Sequence, residues 1–124
     1  MISFERFAMQ EGIPIYLQIL LYMKREIIAG NIRDGDELPS RRVLSALLGV
    51  NPNTVQKAYR MLEEEGLILS HSGSKSYMLL DMAKLERIRA EVVESDAREA
   101  VQRLRHMGLS KAEVFGLIEK YWEV

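Results

Sequence analysis

Two consecutive helix signals between Leu38 and Gly66 constrain the fold more than any other feature of the sequence. Ser40 is a suitable N-cap, because its hydroxyl can accept a hydrogen bond from an unpaired backbone amide. The helix that follows carries apolar residues that we expect on one side, and Gly49 ends it. Those residues are Val43, Leu44, Leu47 and Leu48.

A second helix begins at Asn51-Pro52 and stops at Gly66, with its apolar residues in one stripe. The stripe consists of Val55, Ala58, Tyr59 and Leu62. We expect Tyr59 in the core with a solvated hydroxyl, although a stacking platform is the alternative. A short helix, a tight turn and a longer helix together predict a helix-turn-helix.

The flanking segments extend this prediction to a complete small domain. A helix opened by Pro14 precedes the pair, and its Tyr16 and Gln18 are expected to pack structurally. Two apolar runs, 67–70 and 77–80, follow the pair and are separated by a Gly/Ser-rich turn, which predicts a β-hairpin. A hairpin in that position is a wing, so residues 1–80 are predicted to form a winged helix-turn-helix domain.

The region 81–124 has a different character. Residues 81–106 contain no Pro or Gly and predict one long helix, and Ser110 with Glu113 forms the capping box of a last helix. The predicted fold class is therefore mainly α with a small β-hairpin, followed by a two-helix tail that dimerises. The expected dimer contacts are Leu85, Ile88, Val92, Leu104, Phe115, Ile118, Tyr121 and Trp122. A pocket for a small molecule among the aromatic residues is the alternative.

Charge and composition limit the classes of function that are expected for this sequence. The net charge is −1, but no acidic residue lies between Glu37 and Glu63, where four cations occur: Arg41, Arg42, Lys57 and Arg60. Such a local positive face suits DNA phosphates, and an ordinary solvated surface is the alternative. The run Glu63-Glu64-Glu65 is expected to be a solvated helix end. No cysteine, signal peptide or membrane span is recognised, so a cytoplasmic location without membrane partners is expected.

Several ordered motifs resemble one family, the GntR-type transcriptional regulators. They are Pro14-Ile15-Tyr16-Leu17-Gln18-Ile19, Gly35-Asp36-Glu37-Leu38-Pro39-Ser40-Arg41-Arg42, Val50-Asn51-Pro52-Asn53-Thr54-Val55-Gln56-Lys57-Ala58-Tyr59 and Leu62-Glu63-Glu64-Glu65-Gly66-Leu67-Ile68. The short tail matches the YtrA-like subgroup, in which a two-helix tail is thought to dimerise the protein. One departure lies in the wing, where Lys75 stands at the family's second glycine position.

The resemblance and the chemistry of the side chains together give the expected DNA contacts. Arg42 matches the family arginine after Pro-Ser-x, and its guanidinium can donate to guanine O6 and N7, although a phosphate clamp or an ion pair remains open. Arg41 stands at a variable family position. Ser40 and Asn51 are caps that can also touch DNA. The remaining expected contacts are Asn53, Thr54, Gln56, Lys57 and Arg60 in the second helix and His71, Ser72, Gly73 and Lys75 in the wing. A solvated loop position is the alternative for His71.

The predicted function is a DNA-binding transcriptional regulator without catalytic residues, metal or cofactor. A homodimer would present two recognition helices to a palindromic operator, and repression is the expected outcome. The resemblance implies target genes that encode transporters. The rival class is a winged helix that binds proteins and never touches DNA, which would have no need for the acid-free cationic stretch.

Overall fold

The fold consists of three helices, a two-stranded hairpin and two further helices. The computed structural model describes residues 1–71 and 75–123. The elements are α1 (Ile15–Ile28), α2 (Arg41–Leu48), α3 (Pro52–Glu64), β1 (Ile68–Ser70), β2 (Ser76–Met78), α4 (Met82–His106) and α5 (Lys111–Tyr121). The predicted fold class, mainly α with a small hairpin, is confirmed. Within the described residues, no helix combines the length and apolar character needed to span a bilayer.

Caps define the ends of the two central helices. Ser40 Oγ accepts a hydrogen bond from a first-turn amide of α2 at 3.1 Å, and Gly49 ends α2 with φ of 68°. Asn51 Oδ1 accepts from the amide of Asn53 at 2.8 Å, and Pro52 is the first residue of α3. The predicted caps are confirmed. Because glycine alone adopts positive φ without strain, Gly49 lets the chain turn sharply between the helices.

The apolar stripe of α3 is fully buried, as predicted, while the apolar side of α2 is only partly buried. In α2, Leu44 is buried and Leu48 is half-buried, whereas Val43 and Leu47 are 53% and 66% exposed. The four residues lie on one side of the helix, as expected, but the described chain covers only the part of that side that carries Leu44 and Leu48. Val43 and Leu47 each precede an inward residue by one position, and one position is a rotation of about 100° around a helix.

The hairpin is antiparallel and incorporates a third short segment. Ile68 lies opposite Met78, and Ser70 lies opposite Ser76. Residues 35–38 run along the other side of β2: the Leu38 amide donates to the Ser76 carbonyl at 2.9 Å, and the Met78 amide donates to the carbonyl of residue 36 at 2.8 Å. This pairing ties the wing to the segment that leads into α2.

The first 13 residues form an arm that packs against α1. Ile2 and Phe4 are buried, and the Phe4 and Phe7 rings lie 5.1 and 5.5 Å from the Tyr22 ring. Tyr22 Oη donates to the Ser3 carbonyl at 2.9 Å, and burial raises the pKa of this phenol. The arm therefore belongs to the core, a role that the sequence did not reveal.

The contacts divide the chain into two compact units, Met1–Arg89 and Ala90–Val124. The start of α4 belongs to the first unit. Lys84 Nζ donates to the carbonyls of Gly66 at 2.7 Å and Leu79 at 3.2 Å, and Arg87 Nη2 donates to the Glu65 carbonyl at 3.1 Å. Two of these carbonyls follow the end of α3, where backbone acceptors lack helical partners. Lys84 and Arg87 of α4 therefore cap the C-terminal end of α3.

The second unit contains the rest of α4 and all of α5. The capping box at the start of α5 is confirmed, with Ser110 and Glu113 exchanging hydrogen bonds of 3.1 and 3.2 Å. None of the residues of α5 is buried, and its exposed apolar side chains include Phe115, Ile118 and Tyr121; Trp122 follows the helix and is also exposed.

The predicted dimer contacts on α4 are covered to different degrees. Ile88 and Val92 are buried within the single chain, and Leu85 and Leu104 are half-buried. Among the predicted dimer contacts, the exposed ones therefore lie on or just after α5, and α4 also exposes the apolar side chains of Val93 and Val101.

Candidate nucleic-acid interface

One face of α3 carries polar side chains directed to solvent. Asn53, Gln56, Lys57 and Arg60 are exposed, and Thr54 is half-buried. The exposed four are spaced by three, four and seven positions from Asn53, which places them on one side of a helix. The opposite side is the buried stripe. The structure therefore groups these predicted residues on a single exposed surface.

The adjacent arginines of α2 differ in their contacts. Arg42 is exposed and forms no salt bridge or side-chain hydrogen bond with any residue in 1–71 or 75–123. Arg41 is half-buried, with Nη2 3.1 Å from Glu63 Oε1 and its guanidinium 5.0 Å from the centroid of the Tyr59 ring. Arg41 Nε is buried without a hydrogen-bond partner. Arg42 is thus open to a ligand, whereas Arg41 is held within the protein.

Glu63 connects three elements through one oxygen. Its Oε1 accepts from Arg41 of α2 and, at 2.6 Å, from Ser70 Oγ of β1. Ser70 Oγ also lies 2.9 Å from Ser76 Oγ in β2. This network joins α2, the end of α3 and the base of the wing.

Glu65 is likewise paired rather than solvated. Its Oε1 lies 2.8 Å from Nζ of Lys24, a residue of α1 that is 2% exposed. Burying an ammonium is costly without a partner, so this pair joins the middle of α1 to the end of α3. Glu63 and Glu64 are exposed, as expected of a solvated helix end, whereas Glu65 is half-buried in its pair. The sequence did not reveal that Glu63 and Glu65 each pair with a cation distant in sequence.

Tyr59 lies beneath the start of α2. The side chain is fully buried and Oη donates to the Pro39 carbonyl at 2.7 Å. The predicted core position is confirmed, but the expectation of a solvated hydroxyl was wrong. Burial raises the pKa of this phenol well above its usual range, although the nearby Arg41 opposes the shift. This hydrogen bond thereby fixes the position of Pro39, which directly precedes Ser40 and the start of α2 with Arg42.

Side chains of α1 lie close to this surface. Tyr16 is half-buried, and its ring centroid lies 3.9 Å from Lys57 Nζ. Gln18 has the structural role predicted for it: its amide nitrogen donates to the carbonyls of Gln10 at 2.9 Å and Ile13 at 2.7 Å. The contact between Tyr16 and Lys57 joins residues 41 positions apart, and no sequence signal pointed to it.

The described wing residues His71 and Lys75 lie at the turn end of the hairpin, next to the paired Ser70 and Ser76. The His71 amide donates to the Lys75 carbonyl at 2.8 Å, and both residues are exposed. The His71 ring lies 5.6 Å from the Tyr77 ring. Two other predicted contacts, Ser72 and Gly73, lie outside the described residues.

The described surface has the chemistry needed to bind a polyanion and to distinguish bases. Arg42, Lys57 and Arg60 supply cationic donors, while Asn53 and Gln56 supply amides that can both donate and accept. No carboxylate occurs between positions 37 and 63 to repel phosphates. The exposed start of α3 is the end of a recognition helix that usually meets base edges.

Comparison with known proteins agrees with this geometry. The pattern of the gntR family of bacterial regulatory proteins matches residues 15–77. The HTH-type transcriptional repressor YtrA of Bacillus subtilis is 46% identical over 65 residues, which cover 52% of this chain and 50% of YtrA.

Solved structures extend the likeness beyond the matched segment. A GntR family transcriptional regulator from Listeria monocytogenes superposes with a TM-score of 0.76 at 30% identity, covering 90% of this chain and 98% of that protein. The DNA-binding domain of AraR, solved in complex with its operator ORX1, covers 57% of this chain and 92% of that domain, with a TM-score of 0.51 at 25% identity.

The prediction of a regulator rather than an enzyme is confirmed by these relatives, which are transcriptional regulators. The matched residues run from the first residue of α1 through β2, which is the winged helix-turn-helix. This chain therefore belongs to the GntR family of DNA-binding bacterial transcriptional regulators.

Proposed function

We propose that this chain is a sequence-specific transcriptional repressor that binds a palindromic operator as a homodimer. The observation that carries the proposal is the exposed face of α3, which presents amides and cations. Arg42 at the start of α2 is also exposed and forms no salt bridge within residues 1–71 and 75–123. A relative, the DNA-binding domain of AraR, is seen bound to operator DNA. YtrA, which resembles the N-terminal half of this chain, is named a repressor.

The contacts divide into base recognition and phosphate binding. Arg42 is assigned to a guanine, because its guanidinium can donate two hydrogen bonds to O6 and N7. Asn53 and Gln56 are assigned to base edges, since an amide can pair with adenine N6 and N7. Lys57 and Arg60 are assigned to phosphates, which fix the position of the helix on the duplex.

The remaining predicted residues support the complex in other ways. Ser40 and Asn51 set the helix starts, and Thr54 lies half-buried beside the exposed face. His71 and Lys75, which flank the turn of the hairpin, are proposed to approach the DNA backbone, together with the predicted contacts Ser72 and Gly73. Arg41 contributes to the fold of the site through Glu63 and is not assigned a base.

The dimer is proposed to form through α5. Its exposed apolar side chains, with Trp122 beyond them, are unusual for a surface helix and are covered by a second copy in this proposal. A closed two-copy assembly has twofold symmetry, so its two recognition helices meet half-sites related by the same symmetry. By the resemblance to YtrA-like regulators, the proposed target genes encode transporters.

The test begins by selecting duplexes from random DNA with the purified protein and then measures binding by fluorescence anisotropy. Arg42→Ala is expected to weaken binding about five- to hundredfold, or 1–3 kcal/mol, while leaving the thermal midpoint unchanged. Arg98→Ala is the matched control, because Arg98 is an exposed arginine of α4 whose partner is Glu94.

Two results would contradict the proposal. One is the absence of any selected duplex together with no retention on heparin at low salt, which would favour a protein-binding winged helix. The other is equal affinity for Arg42→Ala and the unaltered protein, which would show that the recognition surface does not include Arg42.

A further inference from the structure

Lys57 lies on the exposed face of α3, but its ammonium is not surrounded by solvent alone. Nζ is 3.9 Å from the centroid of the Tyr16 ring, at the start of α1. A cation at this distance from a ring face is attracted by the negative potential of the π-system. Within 1–71 and 75–123, Lys57 forms no salt bridge, so the ring is its electrostatic partner.

The ring leaves the ammonium able to bind an anion. An ammonium has three N–H donors, and an aromatic face covers only one side of it. Lys57 is exposed, so the remaining donors can reach an acceptor outside the protein. Because a free lysine side chain samples many rotamers, holding it in place before binding removes part of the entropic cost of ordering it on the DNA.

We propose that Tyr16 is a positioning residue, whose ring holds the Lys57 ammonium ready for a DNA phosphate beside the recognition helix. The inference rests on the proposed function and extends it to α1, an element outside the helix-turn-helix. The tyrosine ring performs this role, and the phenolic hydroxyl is not required.

The experiment is a double-mutant cycle in the full chain, with a random-sequence duplex as the probe and a salt titration for each protein. The proteins are the unaltered chain, Tyr16→Leu, Tyr16→Phe, Lys57→Gln and the double variant Tyr16→Leu/Lys57→Gln. Urea unfolding of each protein separates loss of binding from loss of folding.

Lys57→Gln is expected to reduce the salt slope of log affinity by about 0.9, the value for one phosphate contact. Tyr16→Leu is expected to weaken binding about two- to fivefold, the range of one exposed cation–π contact. Tyr16→Phe is expected to bind like the unaltered chain. In the Lys57→Gln background, Tyr16→Leu is expected to have no further effect.

Several outcomes overturn the inference. A Tyr16→Leu loss that persists in the Lys57→Gln background would assign Tyr16 a structural role. An equal loss of affinity in Tyr16→Phe would show that the phenolic hydroxyl, and not the ring, is responsible. An unchanged salt slope in Lys57→Gln would show that Lys57 does not contact a phosphate. Failure of the proposed function is distinct, because the unaltered chain would then not bind the duplex at low salt.

Discussion

At the scale of single residues, the carboxylate of Glu63 decides what Arg41 is available to do. Glu63 Oε1 lies 3.1 Å from Arg41 Nη2 and accepts a hydrogen bond from Ser70 Oγ at 2.6 Å. Arg41 is therefore engaged in an ion pair within the protein, although it is adjacent to the recognition surface. Charge alone does not distinguish Arg41 from Arg42, and in the sequence only the family resemblance favours Arg42 as a DNA contact. They differ because consecutive residues of a helix point about 100° apart and only one of them points at α3.

Glu63→Ala is expected to change stability and DNA binding in opposite directions. Loss of the ion pair and of the Ser70 acceptor should lower the free energy of unfolding by about 1 kcal/mol, discounted for the partial exposure of the pair. The released Arg41 should raise affinity for a random duplex at low salt and increase the salt slope by up to about 0.9.

Glu64→Ala provides the control for that experiment. Glu64 is exposed and lies next to Glu63, and it forms no salt bridge or side-chain hydrogen bond within the described part of the chain. Both variants remove one negative charge from the same helix end. Equal DNA affinities for the two variants would show that the charge alone matters and that Arg41 is not released.

At the scale of elements, local signals predicted the helices and distant contacts escaped prediction. The caps at Ser40, Asn51 and Ser110 form hydrogen bonds to residues at most three positions away, so they can be predicted from the sequence. The arm formed by residues 1–13, the pairing of residues 35–38 with β2 and the contact between Tyr16 and Lys57 depend on chain segments far apart in sequence. Periodicity carries no information about which distant segment supplies the partner.

The packing of the arm on α1 predicts how substitutions in the arm change the free energy of unfolding. Phe4 is 5% exposed and stacks on Tyr22, so Phe4→Ala should lower the free energy of unfolding by about 3 kcal/mol. Met9→Ala, at a position that is 51% exposed, should change it by less than about 0.5 kcal/mol. Urea unfolding monitored by circular dichroism measures both. A Phe4→Ala midpoint equal to that of Met9→Ala would mean that the arm does not pack on α1 in solution.

At the scale of the whole molecule, α4 begins as part of the DNA-binding unit and continues beyond it. Lys84 and Arg87 hold carbonyls at the end of α3, and Ile88 is buried. A domain boundary placed at residue 80, as the composition suggests, separates these residues from the carbonyls that they cap. Side-chain capping from a later helix leaves no mark on composition, so composition alone does not reveal these contacts across residue 80.

Two truncations test this arrangement. A chain ending at residue 89 is expected to fold as a monomer and to bind selected operator duplexes much more weakly than the full chain, because it lacks α5. A chain ending at residue 80 is expected to be less stable than the chain ending at residue 89 by about 2–4 kcal/mol, since it loses the three hydrogen bonds donated by the side chains of Lys84 and Arg87 and the buried Ile88.

Analytical ultracentrifugation gives the mass of each truncated protein, and urea unfolding gives its stability. A full-length Ile118→Glu variant complements them, because it should be monomeric with an intact fold. If the chain ending at residue 89 sediments as a dimer, or if Ile118→Glu leaves the full-length dimer unchanged, the assignment of the dimer contact to α5 is wrong.

The exposed side chains of α5 also determine how the regulator would respond to its own abundance. With the proposed homodimer, the concentration of DNA-competent protein at low abundance grows as the square of the number of chains. Halving the supply of chains would then lower operator occupancy about fourfold rather than twofold. With the proposed homodimer, release of the target genes would therefore follow the concentration of chains more steeply than it would for a monomeric regulator, without requiring a bound effector.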